Sequence, residues 1–110
     1  MEIKLNVDGG TAVLDVSGEV IVQNAPQLRA AVQKQLKAGA KKILIRLADV
    51  KYMDSSGVGI LVSSLKLSKE KSVAFGLVEV AKPVMDVIKV TRLTRIFTIY
   101  PDLPVALAQS

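Results

Sequence analysis

One stretch of this chain brings together residue types that could do chemistry: Asp54-Ser55-Ser56-Gly57-Val58-Gly59, within YMDSSGVGIL at 52–61. An acid, two hydroxyls and two glycines interrupt apolar sequence on either side. A serine in such a place can act as a nucleophile, accept a phosphate or cap a helix. A nucleophile needs an activating base. The chain has no histidine, and no lysine follows Ser55 within a helical turn. The G-x-S-x-G frame of a nucleophile elbow and the G-x-x-x-x-G-K-[ST] phosphate loop are both missing. Capping, modification and docking remain.

The neighbourhood narrows the choice. Ile43, Leu44, Ile45 and Leu47 form a branched apolar run, read as a central strand over 41–47 with a loop at 48–54. A helix follows, starting at Ser55 or Ser56 and running to about Lys71. The segment therefore lies beyond the carboxyl end of a strand and at a helix N-terminus. Open α/β sheets gather ligands there. The first N–H groups of a helix lack intrahelical partners and carry positive partial charge, so Asp54 or Ser55 can cap them and a phosphate on Ser55 would be accommodated. Glycine in a helix costs about 1 kcal/mol relative to alanine. Gly57 and Gly59 in the first turn therefore imply a close approach, by the neighbouring strand or by another protein.

Val58, Leu61, Val62 and Leu65 form the core stripe of this helix. Gly57, Ile60, Ser64 and Leu67 trace a second stripe, small and apolar. It reads either as a docking surface continuous with the serines or as a wide core wrapping further round.

Composition excludes several classes. The chain has 110 residues, half of them apolar, which predicts one domain over 1–110 with a core of its own. With no cysteine there are no disulfides and no thiolate metal site; with no histidine the commonest metal ligand and general base are gone. No metal, cofactor or catalytic residue is expected. The net charge of +5 comes from scattered lysines and arginines, and the aromatics are only Tyr52, Phe75, Phe97 and Tyr100. That composition argues against a base-stacking nucleic-acid platform. No apolar run reaches the ~18 residues of a membrane span, and no signal peptide is read at the N-terminus. A cytoplasmic protein is expected.

The remaining elements follow from periodicity. Residues 2–8 and 11–20 read as strands joined at Gly9-Gly10. Asn24 is a good N-cap for a helix with Pro26 in its first turn, ending at Gly39. A strand at 73–80, a helix from Lys82 to about Val90, a strand at 96–100 and a short helix from Pro101 to Ala108 complete the chain. The fold class is α/β: one mixed, mostly parallel sheet of about five strands, with about four helices packed largely on one face.

With those residues in view, the chain resembles the bacterial anti-sigma factor antagonists, stand-alone STAS domains. The strongest element is Asp54-Ser55-Ser56-Gly57-Val58-Gly59, preceded by Val50-Lys51-Tyr52-Met53. Gly18-Glu19 with Ala25-Pro26-Gln27-Leu28, and Thr91-Arg92-Leu93-Thr94-Arg95-Ile96-Phe97, resemble two further family blocks. The resemblance implies a non-enzymatic partner-switching regulator of transcription. The unphosphorylated form would bind an anti-sigma factor that is also a serine kinase of the histidine-kinase-like ATPase fold. Phosphorylation would release it, and a PP2C-type phosphatase would reverse the modification. By the same resemblance the phosphorylated residue is Ser55, with Asp54, Ser56 and Gly57 around it. The expected partner surface comprises Ile21, Gly57, Gly59, Ile60, Ser64 and Leu67 on a monomer. One departure stands out: Ile21 occupies the position two residues after Gly-Glu where the family usually carries Asp. That change is compatible with a second reading, a STAS adaptor subunit of a larger assembly such as a lipid-transport complex, holding a fixed partner without phosphorylation.

Overall fold

The computed structural model describes residues 1–109. Five strands form one sheet in the order β1-β2-β3-β4-β5. They are β1 (Glu2–Asp8), β2 (Thr11–Val20), β3 (Lys42–Met53), β4 (Ala74–Val78) and β5 (Ile99–Tyr100). β1 and β2 make the antiparallel hairpin expected around Gly9-Gly10, both at positive φ. β2 to β5 run parallel. Four helices connect and close them: α1 (Ala25–Lys37), α2 (Ser55–Glu70), α3 (Lys82–Val90) and α4 (Leu103–Ala108).

Alternation along the strands divides the core. Ala12, Leu14, Val16, Ile43, Ile45 and Leu47 point to the face covered by α1, α2 and α3. They meet Leu28, Val32, Leu61, Leu65, Val84 and Ile88 there. Full burial of each large aliphatic is worth roughly 1.5–3 kcal/mol, so this layer supplies most of the driving force. On the opposite face α4 closes a smaller cluster of Val13, Leu44, Val78 and Ala106. Gly76 makes that closure possible, since a Cβ on it would lie 2.6 Å from the Tyr100 ring. Lys42 fastens α4 from the sheet, donating from Nζ to the carbonyls of Ala106 and Gln109.

Beside α4 the same face carries an ionic group. Arg46 on β3 donates to Asp15 on β2 and to Glu79 just past β4, with Asp49 at 3.5 Å. The Glu79 hydrogen bond, with Asp15 adding and burial opposing, holds the guanidinium above its ordinary value. Arg46 thus stays charged at any pH the fold survives and ties the middle of β2 and β3 to the end of β4.

Several expected boundaries move. β3 does not stop at Leu47 but continues through Met53. Beyond the apolar run, Val50 and Met53 stay buried while Asp49, Lys51 and Tyr52 face outward. β2 pairs with this extension through two register shifts, at Asp15/Ser17 and Gly18/Glu19. β4 ends much earlier, its last pair being Arg46 with Val78, so β2 and β3 project beyond it as a two-stranded arm. The final strand shrinks from five residues to Ile99–Tyr100. Arg92 in the left-handed region starts a 3-10 turn at Leu93–Arg95, and Phe97 turns into the core instead. Asn24 stands at the α1 N-cap but does not cap: its Oδ1 accepts from the Ile21 amide and its Nδ2 donates to the Glu19 carbonyl. Gly39 takes the expected role, at φ +89, where Ala40 N–H donates to the Gln35 carbonyl and Gly39 N–H to that of Leu36.

Candidate functional site

The arm of β2 and β3 delivers two loops to one place. The chain leaves β2 at Val20 toward α1 and leaves β3 at Met53 toward α2. Asp54 holds both. Its backbone N–H donates to the Val20 carbonyl at 3.1 Å. Its Oδ1 accepts from the amides of Ser56 (2.9 Å) and Gly57 (3.1 Å), and its Oδ2 accepts from the Val22 amide at 3.1 Å. One carboxylate therefore caps α2 and pins the β2–α1 loop. Either Asp54 or Ser55 could have been the cap on sequence grounds; the structure assigns it to Asp54.

That assignment frees Ser55. It is the first residue of α2, exposed, and the cap bonds do not use its hydroxyl. Ser56 is half-buried one residue further in. Asp54→Ala is expected to lose the cap and the loop tether together, at about 2 kcal/mol. A thermal melt should fall by roughly 10 °C for a domain of this size. Asp54→Asn should recover part of it, because one oxygen can still accept.

The two glycines separate. A Cβ on Gly57 would lie 2.5 Å from Met53 Cγ and 3.0 Å from Val20 Cγ1, both buried side chains. Gly57 lets α2 close on its own sheet. A Cβ on Gly59 would meet nothing within 4 Å, and Gly59 is exposed.

The burial of the second stripe of α2 fits the wide-core reading. Ser64 is 3% exposed, and Ile60 and Leu67 are half-buried against the main core. Gly57 and Ser64 therefore cannot present a free docking face. Ser64 and Leu67 also line a shallow groove with Arg29 and Gln33 of α1, so this stripe serves the α1–α2 contact. Of the six expected partner-surface residues, Gly59 is exposed, and Ile21, Ile60 and Leu67 are half-buried. Beside these stand Val22 and Tyr52, which the sequence reading did not place on the expected partner surface. Both are exposed apolar side chains, at 59% and 51%, one hydrogen-bonded to Asp54 through its amide and one two residues before it. An apolar residue outside any expected element was the available signal for Val22.

This arrangement of sheet, arm and capped helix matches a known family. The family model described as STAS domain covers residues 2–106. The chain belongs to the STAS domain family. Among relatives of this STAS domain, the anti-sigma-B factor antagonist of Bacillus subtilis is 31% identical over 86 residues, which is 78% of each chain. The crystal structure of the Thermotoga maritima protein tm1081 superposes with a TM-score of 0.89 at 28% identity, covering 96% of this chain and 91% of that one. The Bacillus cell fate determinant SpoIIAA in its phosphorylated form shares the fold, with a TM-score of 0.77 at 19% identity and 96% of each chain covered. No helix among the described residues is long and apolar enough to cross a membrane.

Proposed function

We propose that this STAS domain is an anti-sigma factor antagonist switched by phosphorylation of Ser55. The observation that carries the reading is the division of labour at the α2 N-terminus: Asp54 does the capping, which leaves the Ser55 hydroxyl exposed and unused. The relative named an anti-sigma-B factor antagonist supports the partner class, and the relative known in a phosphorylated form supports the modification.

The mechanism is local. On the unmodified protein Ser55, Gly59, Val22 and Tyr52 are all exposed and Gly59 carries no side chain, which suits close packing against an anti-sigma factor. That partner is a serine kinase of the histidine-kinase-like ATPase fold. Phosphate adds roughly −1.5 to −2 charges at neutral pH. It would stand beside the Asp54 carboxylate, whose Oδ1 already occupies the amides of Ser56 and Gly57. In solution, water shields that pair. In a dry interface both charges are desolvated side by side, so the modified form lets go. A PP2C-type phosphatase resets it.

The test is capture from native lysate with tagged protein, with and without ATP, followed by mass spectrometry. Retention of an ATPase of this fold without ATP, its loss with ATP, and phosphate on Ser55 support the reading. A partner held equally in both conditions, with Ser55 unmodified, overturns it in favour of a constitutive adaptor.

A further inference from the structure

β1 is an open sheet edge. It has only β2 beside it, it pairs without a register shift over all seven residues, and it contains no proline. Edge strands of this kind are normally blunted by bulges, prolines or inward charges, because their free N–H and C=O groups template further pairing. Two large apolar side chains on it are uncovered: Leu5 at 49% and Val7 at 55% exposure. Both lie on the face carrying α1–α3, since they pair with Leu14 and Ala12 of the core layer. Lys4, Asn6 and Asp8 alternate onto the opposite face.

We propose that β1 pairs antiparallel with β1 of a second copy of this chain, about a two-fold axis at Asn6. This goes beyond the switch and does not depend on it. The argument is charge and apolar complementarity in one register. With Asn6 opposite Asn6, Lys4 of each copy faces Asp8 of the other, and Leu5 faces Val7. Both faces of the new ladder are then matched: two ion pairs on the open face and four apolar side chains on the helix face. Moving the axis by one residue to Leu5 sets Glu2 against Asp8 at both ends, two like-charge contacts. Moving it to Lys4 sets lysine against lysine. Opposite charges directly across antiparallel strands attract and like charges destabilise. A lysine on an edge usually deters pairing; here Asp8 answers it. The axis lies toward the Gly9-Gly10 turn, at the opposite end of β2 from Val20 and Asp54. Both copies thus keep the Ser55 site free.

The test is sedimentation equilibrium of the full chain from ~10 µM to ~1 mM, with three samples beside wild type. Lys4→Asp alone and Asp8→Lys alone should each weaken dimerisation by about tenfold or more, since each turns two attractive contacts into repulsive ones. An equimolar mixture of the two variants should restore it, because the exchanged charges face each other again. Circular dichroism of each variant checks the fold. A wild type that is monomeric throughout overturns the proposal. So does a dimer indifferent to both substitutions, which would lie on another surface. An Asp8→Lys variant that dimerises more tightly also overturns it, by placing the axis at Leu5. Pairing of β1 with an extended segment of another protein instead would appear as no self-association.

Discussion

Ser55→Asp is expected to lower affinity for the anti-sigma partner by at least about a hundredfold, ~2.7 kcal/mol, while leaving the fold as stable as before. The two halves have different causes. An added carboxylate next to Asp54 would be buried on binding without a partner, and an uncompensated charge at an interface costs roughly 2–5 kcal/mol. In the free protein the same carboxylate sits on the first turn of a 16-residue helix. There the dipole favours negative charge by about 0.3–1 kcal/mol. The melt should therefore hold or rise slightly. Ser55→Ala removes only an exposed hydroxyl and should bind within about threefold of wild type. Calorimetric titration of the purified pair measures both. Equal affinity for all three proteins would make Ser55 a bystander at the helix start.

Gly57→Ala and Gly59→Ala should move stability in opposite directions, though the residues stand two apart in one helical turn. Alanine gains about 1 kcal/mol over glycine in a helix. At Gly59 nothing opposes the gain, since its new Cβ enters open space. The melt should rise by roughly 4–8 °C per kcal/mol. At Gly57 the Cβ would be forced to 2.5 Å from Met53 Cγ and 3.0 Å from Val20 Cγ1. Both are buried, so α2 or the arm must shift, and overpacking of this kind costs roughly 1–3 kcal/mol or more. A net fall in the melt of about 5–10 °C is expected. Because Met53 and Val20 also abut Asp54, the shift should loosen the cap. Under the proposed function, Gly59→Ala gives a more stable protein that binds its partner less well, since the new methyl stands where the partner packs. Equal destabilisation by both substitutions would show that α2 sits differently on the sheet.

How much was legible beforehand follows from which signals are local. The strand–helix alternation after the Gly9-Gly10 hairpin was readable because period 2 and period 3.6 are written in short windows. Gly39 was readable as a helix end because only its positive φ satisfies that turn cheaply. The end of β3 was not readable. Past Leu47 the apolar density falls, and the strand persists only because β2, distant in sequence, continues to pair with it. Asn24 illustrates the same limit. Its residue type suits a cap, but the loop offers its side chain the Ile21 amide and the Glu19 carbonyl instead.

The stripe of Gly57, Ile60, Ser64 and Leu67 was left open in the sequence for a related reason. A helical pattern tells which residues share a face but not what faces them. Ser64 and Leu67 face α1 across a groove, and the arm packs against Gly57. From the sequence alone came the element order, the concentration of site-forming residues at 54–59, and the absence of the histidine and cysteine that most catalytic and metal sites need. Tertiary structure alone decided the rest: that Asp54 is the cap, that it reaches across 32 positions to Val22, and that Ser55 is therefore exposed with its hydroxyl uncommitted. The reason is physical. Residue type and spacing set what a side chain can bond to, whereas the packing of distant strands sets which partner arrives within 3 Å.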